Sequence, residues 1–204
     1  MEQNKDLFEH KSKNWDMNSI RVRNAKEISD IILNNIDINS SMEIVDFGAG
    51  TGLLSYFIAK HVSKIIAIDN SPSMLEEFRA KQSEFACETD IIKADIMKND
   101  LKLSVDGIIS SMTMHHIEDI EALFLKLFNM LHKGGFIAIA DLDSEDGTFH
   151  SDNEGVYHYG FDREMLTNIA KEAGFININF KTANVIEKPH AKFSVFTMTA
   201  QKKI

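Results

Sequence analysis

The stretch Val45-Asp46-Phe47-Gly48-Ala49-Gly50-Thr51-Gly52 decides the fold. Just before it, residues 42–47 form a short apolar run that reads as a strand, and just after it residues 53–62 read as a helix. A glycine turn between a strand and a helix is where doubly wound sheets hold nucleotides. Gly48 and Gly50 present main chain with no Cβ, so a ligand can come close. Gly52 lets the helix start against the strand, and the first helical amides then face the ligand's polar edge. Spacing separates the possible ligands. Dinucleotide folds use G-x-G-x-x-G and phosphate loops use G-x-x-x-x-G-K-[ST]. Here the glycines fall G-x-G-x-G, and no Lys-Ser/Thr pair follows Gly52. The turn is not built to hold a pyrophosphate.

Working outward, strands and helices alternate. Residues 20–36 place Ile20, Ala25, Ile28, Ile31, Ile32 and Ile36 near helical spacing. Residues 64–68 (KIIAI) are apolar and β-branched, the pattern of a strand buried on both faces. Ser71 before Pro72 is a cap followed by proline at the first helical position, opening a helix that runs to about Glu84. Strands are expected at 91–93, 107–111 and 136–140, with a helix at 120–131 closed by the lysine and glycines of His132–Gly135. A last helix, 162–173, is stopped by Gly174; strands at 175–182 and 193–199 follow, joined by a loop containing Pro189. This order predicts one α/β domain over residues 1–204, an open, mostly parallel sheet with helices on both faces. The two closing strands, with no helix between them, predict an antiparallel hairpin at one edge.

Two acids follow the turn. Asp69 ends the second strand, where a carboxylate can accept both hydroxyls of a ribose; strand-ending aspartates are also common turn residues. Asp95 ends the third strand and can accept an adenine amino group or serve as a solvated turn acid.

Taken in order, VDFGAGTG, the acid of IIAIDNS, the acid of IIKADI, the strand DGIISSMTMHHI and the turn LHKGG resemble the successive motifs of class I S-adenosylmethionine (SAM)-dependent methyltransferases. The resemblance covers roughly residues 43–140. It implies a seven-strand sheet in the order 3-2-1-4-5-7-6 with strand 7 antiparallel. It implies SAM as cofactor and S-adenosylhomocysteine as product. Asp46 and the main chain of Gly48, Ala49, Gly50 and Gly52 would hold the methionine part, Asp69 the ribose, and Asp95 with Ile96 the adenine. Leu53, Asn70, Met74, Ser111 and Met112 would also lie beside the cofactor. Asn14-Trp15-Asp16, Arg21 and Arg23 look like the N-terminal lid of small-molecule members, so residues 1–36 are expected to cover the site, with Trp15 against the cofactor. The Asn/Asp-Pro-Pro-Tyr/Phe signature of amino-methyltransferases is absent from residues 110–114.

Methyl transfer from a sulfonium is an in-line displacement, so the enzyme must align acceptor and methyl, and a nitrogen or oxygen acceptor can also need to lose a proton. The expected acceptor pocket lies after the strand ends. His115 and His116 follow the fourth strand, Asp141 the fifth, and His150 and His158 sit in the 141–162 loop. His115, Asp141 and His150 are the candidate catalytic residues; histidine titrates near neutrality and can accept a proton. A structural role for the His-His pair is the competing reading. Asp141, Asp143, Glu145, Asp146, His150 and His158 have the chemistry of a divalent-metal set, but an acidic loop of this kind is more often a solvated surface, and no metal is expected. Phe149, Tyr157, Tyr159 and Phe161 either wall the acceptor or anchor the loop.

Composition bounds the partners. The chain has 204 residues, 44% hydrophobic and 26% charged, enough for one core. A formal net charge of −9 with no basic patch disfavours nucleic acid, and favours a small-molecule acceptor over RNA or protein. The lone Cys87 cannot form an internal disulfide. No apolar run approaches the ~20 residues that span a bilayer, and no signal core opens the chain, so a cytoplasmic enzyme without a membrane partner is expected. The oligomeric state has no signature in the sequence.

Overall fold

A computed structural model describes residues 6–204; the first five residues of the expected 1–36 lid lie outside the described part. The strands are β1 (Glu43–Phe47), β2 (Lys64–Asp69), β3 (Glu88–Lys93), β4 (Val105–Ser111), β5 (Leu131–Leu142), β6 (Phe175–Glu187) and β7 (Lys192–Lys202). They form one sheet in the order β3-β2-β1-β4-β5-β7-β6. All pairs from β3 to β5 are parallel, and β7 runs antiparallel to both β5 and β6. The expected architecture and strand order are therefore those of the protein. The helices are α1 (Ser19–Asn35), α2 (Leu53–Ile58), α3 (Pro72–Ala80), α4 (Ile120–Met130) and α5 (Arg163–Glu172).

Two apolar layers sandwich the sheet. On one face α4 and α5 press Leu123, Phe124, Leu127 and Leu166 onto Val45, Ile108, Ile137 and Phe196. On the other, α1 and α2 press Ile28, Ile32, Leu54 and Ile58 onto Ile44, Ile65, Ala138 and Val195. Both faces of β2 are thereby covered, which is why Ile65–Ile68 reads as an unbroken apolar run. Because α1 is part of this packing, the portion of residues 1–36 lying ahead of it is the segment 6–18.

Side chains fix the helix starts. Asn18 accepts from the amides of Ile20 and Arg21, Ser71 from Met74, Asp119 from Ala122 and Asp162 from Met165. Each such cap contributes about 1 kcal/mol. Several ends differ from the sequence reading. The helix of α3 stops at Ala80, and a separate 3-10 turn covers Gln82–Glu84. The strand β5 starts early because Leu131 already pairs with Val105, before an irregularity in the ladder. The closing hairpin is longer than expected: the ladder extends to Glu187↔Lys192, and a turn in which the Lys188 amide donates to the Ala191 carbonyl reverses the chain at Pro189.

Candidate active site

The order of the sheet reverses between β1 and β4, and the glycine turn and the residues after β4 and β5 meet at the carboxyl ends of those strands. Ligands of open α/β sheets bind at this switch point.

The turn is held from below. The amides of Gly48 and Ala49 both donate to the Ile68 carbonyl, at 2.8 and 3.1 Å. The Gly50 amide donates to Asp69 Oδ2 at 2.8 Å, and Asp69 Oδ1 accepts from the Ser71 amide at 2.8 Å. Asp69 thus ties the glycine turn to the start of α3, and burial pushes its carboxyl above the usual range against these hydrogen bonds. The three glycines do different work. All have positive φ. A Cβ on Gly48 would lie 2.2 Å from the Thr113 side chain, and one on Gly52 would lie 2.6 Å from the Phe78 ring. Those two positions are bare so that neighbouring protein can pack. A Cβ on Gly50 would meet nothing within 4 Å. Gly50 alone borders open space, the space a ligand's main-chain contact requires.

Asp46 sits beneath the turn, 1% exposed, where its Oδ2 accepts from Ser55 Oγ at 2.6 Å. Burial, opposed by that bond and assisted by the nearby Asp69 charge, pushes its carboxyl up to about 7. Leu53 opens α2, and Met74 and Ile96 are buried. Asn70 is exposed, at the tight junction between β2 and α3. Asp95 Oδ1 accepts from the Met97 amide, and its Oδ2 pairs with Lys98 at 3.0 Å. Ser111 ends β4, and Met112 follows with φ of 56°, a conformation rare for a residue with a Cβ. Such strain gathers at functional sites.

The segment 6–18 crosses this end of the sheet. Asp6 accepts from Ser71 Oγ and from the Ser73 amide at the start of α3. Asp16 accepts from Thr51 Oγ1 of the glycine turn and from Lys81 Nζ. Trp15 has the Arg21 guanidinium 3.7 Å above its ring, and Phe8 lies edge-on to both Trp15 and His116.

His115, Asp141 and His150 come together. His115 lies in the 3-10 turn Met114–His116 and is 1% exposed. Its Nδ1 is 2.8 Å from Asp141 Oδ1, and its amide donates to Asp141 Oδ2 at 3.2 Å. Asp141 Oδ1 also accepts from the Leu142 amide at 2.8 Å. Full burial alone would raise the Asp141 carboxyl, but His115 and these amides hold it below the usual range. It is therefore ionised, and Nδ1 of His115 is the donor. Burial pulls the His115 imidazole down, and the Asp141 charge overcomes it, for a net rise. The His150 ring is 4.9 Å from that of His115, centroid to centroid; burial, with the neighbouring His115 and His116, pushes it down to about 4. Nε2 of both His115 and His150 is buried without a hydrogen-bond partner. His116, 4.2 Å from His115 by ring centroids, is fixed through Nδ1 to the Gly155 carbonyl at 2.7 Å.

The rest of the acidic set disperses. Asp143 makes a two-pronged ion pair with Arg163, both bonds 2.7 Å. Glu145 accepts from the amides of Gly147, Thr148 and Phe149, and Asp146 from Thr148. His158 Nε2 contacts the Glu118 carbonyl. Among the described residues no group of three or more His, Cys, Asp or Glu side chains is placed to hold a metal ion. Phe149 packs on Phe193 and under Lys188, while Tyr157 and Tyr159 are exposed. No helix among the described residues is long and apolar enough to cross a membrane.

Sequence reasoning did not reach Thr113, Ser55, Asp6 or Phe8. Ser55 carries a weak signal, a small hydroxyl one turn into the helix after the glycines. The others depend on chain crossings that no local pattern records.

A family model described as a methyltransferase domain matches residues 44–135. An uncharacterized methyltransferase of Schizosaccharomyces pombe is 28% identical over 199 residues, covering 89% of this chain and 68% of its own length. The malonyl-[acyl-carrier protein] O-methyltransferase of Acetivibrio thermocellus is 29% identical over 140 residues, 65% of this chain and 47% of that protein. The chain thus spans about half to two thirds of the curated relatives it matches. Among solved structures, the putative methyltransferase in complex with the Trm112 activator of Haloferax volcanii superposes with a TM-score of 0.77 at 15% identity, covering 98% of this chain and 97% of that one. In its motifs, its sheet order and the relatives it matches, the chain resembles the class I S-adenosylmethionine-dependent methyltransferases.

Proposed function

We propose that the protein transfers the methyl group of SAM to a small-molecule acceptor, with the cofactor on the Gly50 main chain and the acceptor beside His115. The observation that carries this reading is the open space at Gly50, on a turn tied to the Asp69 carboxylate, with the buried His115–Asp141 pair at the same end of the sheet. Asp69 offers acceptor oxygens to the ribose, and Asp46 adds negative charge below a cationic ligand. The segment 6–18, bonded to the glycine turn through Asp16, and the 143–161 loop, bonded to His116 through the Gly155 carbonyl, are the parts of the chain to shield the site from water, which would strengthen the electrostatics of a sulfonium losing its charge. His115 in its neutral form is the group to receive a proton: its Nδ1 hydrogen is committed to Asp141, so Nε2 then carries the free lone pair. Asp141 holds the ring and stabilises the imidazolium that forms. The acidic balance of the chain supports a small acceptor rather than a nucleic acid.

The test is label transfer. Methyl-labelled SAM is incubated with the protein and a low-molecular-weight cell extract, with Gly50→Val as the control. Label is expected in a small product gaining one CH2 in mass, and only with the wild-type chain. Label confined to RNA or protein would overturn the acceptor class.

A further inference from the structure

We propose that His115 and His150 together grip a neutral hydroxyl of the acceptor, so that the substrate class is a phenol- or enol-type alcohol methylated on oxygen. This deepens, and rests on, the methyltransferase reading above.

Two buried imidazole nitrogens lack partners, Nε2 of His115 and Nε2 of His150, on neighbouring rings whose centroids are 4.9 Å apart. A buried polar atom with no partner is costly, and two on neighbouring rings mark a place where a ligand's polar group belongs. Both rings are firmly placed. His115 is fixed by two bonds to Asp141. His150 follows Phe149, whose ring lies against Phe193 and under Lys188 Nζ and whose carbonyl accepts from the same ammonium.

The charges around the pair select the ligand. The groups facing it are Asp141, His116, Glu145 and Lys188. Asp141 is the countercharge that His115 needs once protonated, Lys188 has the Glu145 carboxylate as its countercharge, and His116 and His150 are driven toward the neutral form. No unmatched cation of the buried cluster is left for a carboxylate. A hydroxyl fits both nitrogens: its hydrogen goes to His115 Nε2, one lone pair accepts from His150 in the Nε2–H tautomer, and the second is free to attack. In the reaction the O–H bond breaks and its proton passes to His115 Nε2. The oxygen lone pair forms O–CH3 as the S–CH3 bond breaks, and the sulfonium becomes the neutral thioether. The imidazolium stays paired with Asp141, so the closed site remains balanced in charge.

The probe is 4-nitrophenol, whose phenolate absorbs visibly, titrated into the protein saturated with S-adenosylhomocysteine. The wild-type complex is expected to bind it and to show the phenolate band at a pH where the free probe is neutral. His115→Gln is expected to lose the band, and His150→Leu to bind at least tenfold more weakly. His150→Gln, which restores a polar atom, should recover part of the loss. The carboxylate 4-nitrobenzoate should bind at least tenfold more weakly than the phenol. Unchanged phenol binding in His150→Leu, or tighter binding of the benzoate, overturns the proposal. S-adenosylhomocysteine affinity, measured on every variant, reports folding and separates the readings: normal affinity with no phenol binding sinks the hydroxyl grip alone, while no affinity in the wild type sinks the cofactor reading as well.

Discussion

Replacing Asp141 by Asn tests whether the buried pair is an ion pair. The carboxylate is fully buried and accepts from His115 Nδ1, the His115 amide and the Leu142 amide. Removing one partner of such a pair typically costs about 3–5 kcal/mol, because a buried charge loses its match. The pH dependence follows from the two shifts. The Asp141 carboxyl is lowered on folding, so its contribution is full above its unfolded value of 3.8 and is lost as pH falls through the folded value. The His115 imidazole is raised, so its contribution is full below 6.5 and is lost as pH rises through the folded value. Both are present in full between those two unfolded values. Urea unfolding of wild type and Asp141→Asn at about pH 5.5 should therefore show the full ~3–5 kcal/mol. At a pH above the folded value of His115, where a neutral imidazole only donates a hydrogen bond, the difference should shrink to roughly 1–3 kcal/mol. For a chain of this size the larger figure corresponds to a melting temperature lowered by roughly 6–20 °C. An equal penalty at both pH values would refute a charged pair.

Further outcomes follow from the turn. Gly50→Val should abolish S-adenosylhomocysteine binding by calorimetry while the fold persists, less stable by roughly 1–2 kcal/mol from the left-handed backbone; normal binding would remove the turn from the site. Gly48→Ala should instead destabilise by about 1–3 kcal/mol or more, because the methyl would strike Thr113; a melting curve like the wild type's would contradict that packing. Asp69→Ala should weaken SAM by ~1–3 kcal/mol, the scale of hydrogen bonds to a charged group; equal affinities by calorimetry would exclude Asp69. With Asp46 pushed up to about 7 by burial, a cationic ligand should favour its ionised form, so SAM affinity should rise as pH increases through 7; a flat affinity across that range would detach Asp46 from the cofactor.

The sheet was legible because its central strands are buried on both faces and its turns carry glycine, proline and caps at fixed offsets. Ile65–Ile68 and the Ser71–Pro72 pair are read directly from residue type. The edges were read too short. In β6 exposed polar residues such as Lys181 and Thr182 break the apolar pattern, and only the ladder to β7 extends the strand to Glu187. At the site, His115, Asp141 and His150 could be singled out by chemistry. Their meeting depends on β4 and β5 lying side by side and on the loop folding back, neither of which a local pattern records. The glycines show the same limit: the sequence assigns Gly48 and Gly50 one role, and Thr113, 65 residues away, separates them. Asp6 and Asp16 were invisible as anchors because each bonds residues more than 30 positions distant.

A crystal structure of the S-adenosylhomocysteine complex is the most direct test of the central claim. The account predicts the ribose hydroxyls on Asp69, the homocysteine part against the bare Gly50 main chain, and the sulfur facing His115. A nucleoside bound away from residues 48–52, or turned so that its sulfur faces away from the histidines, would contradict it.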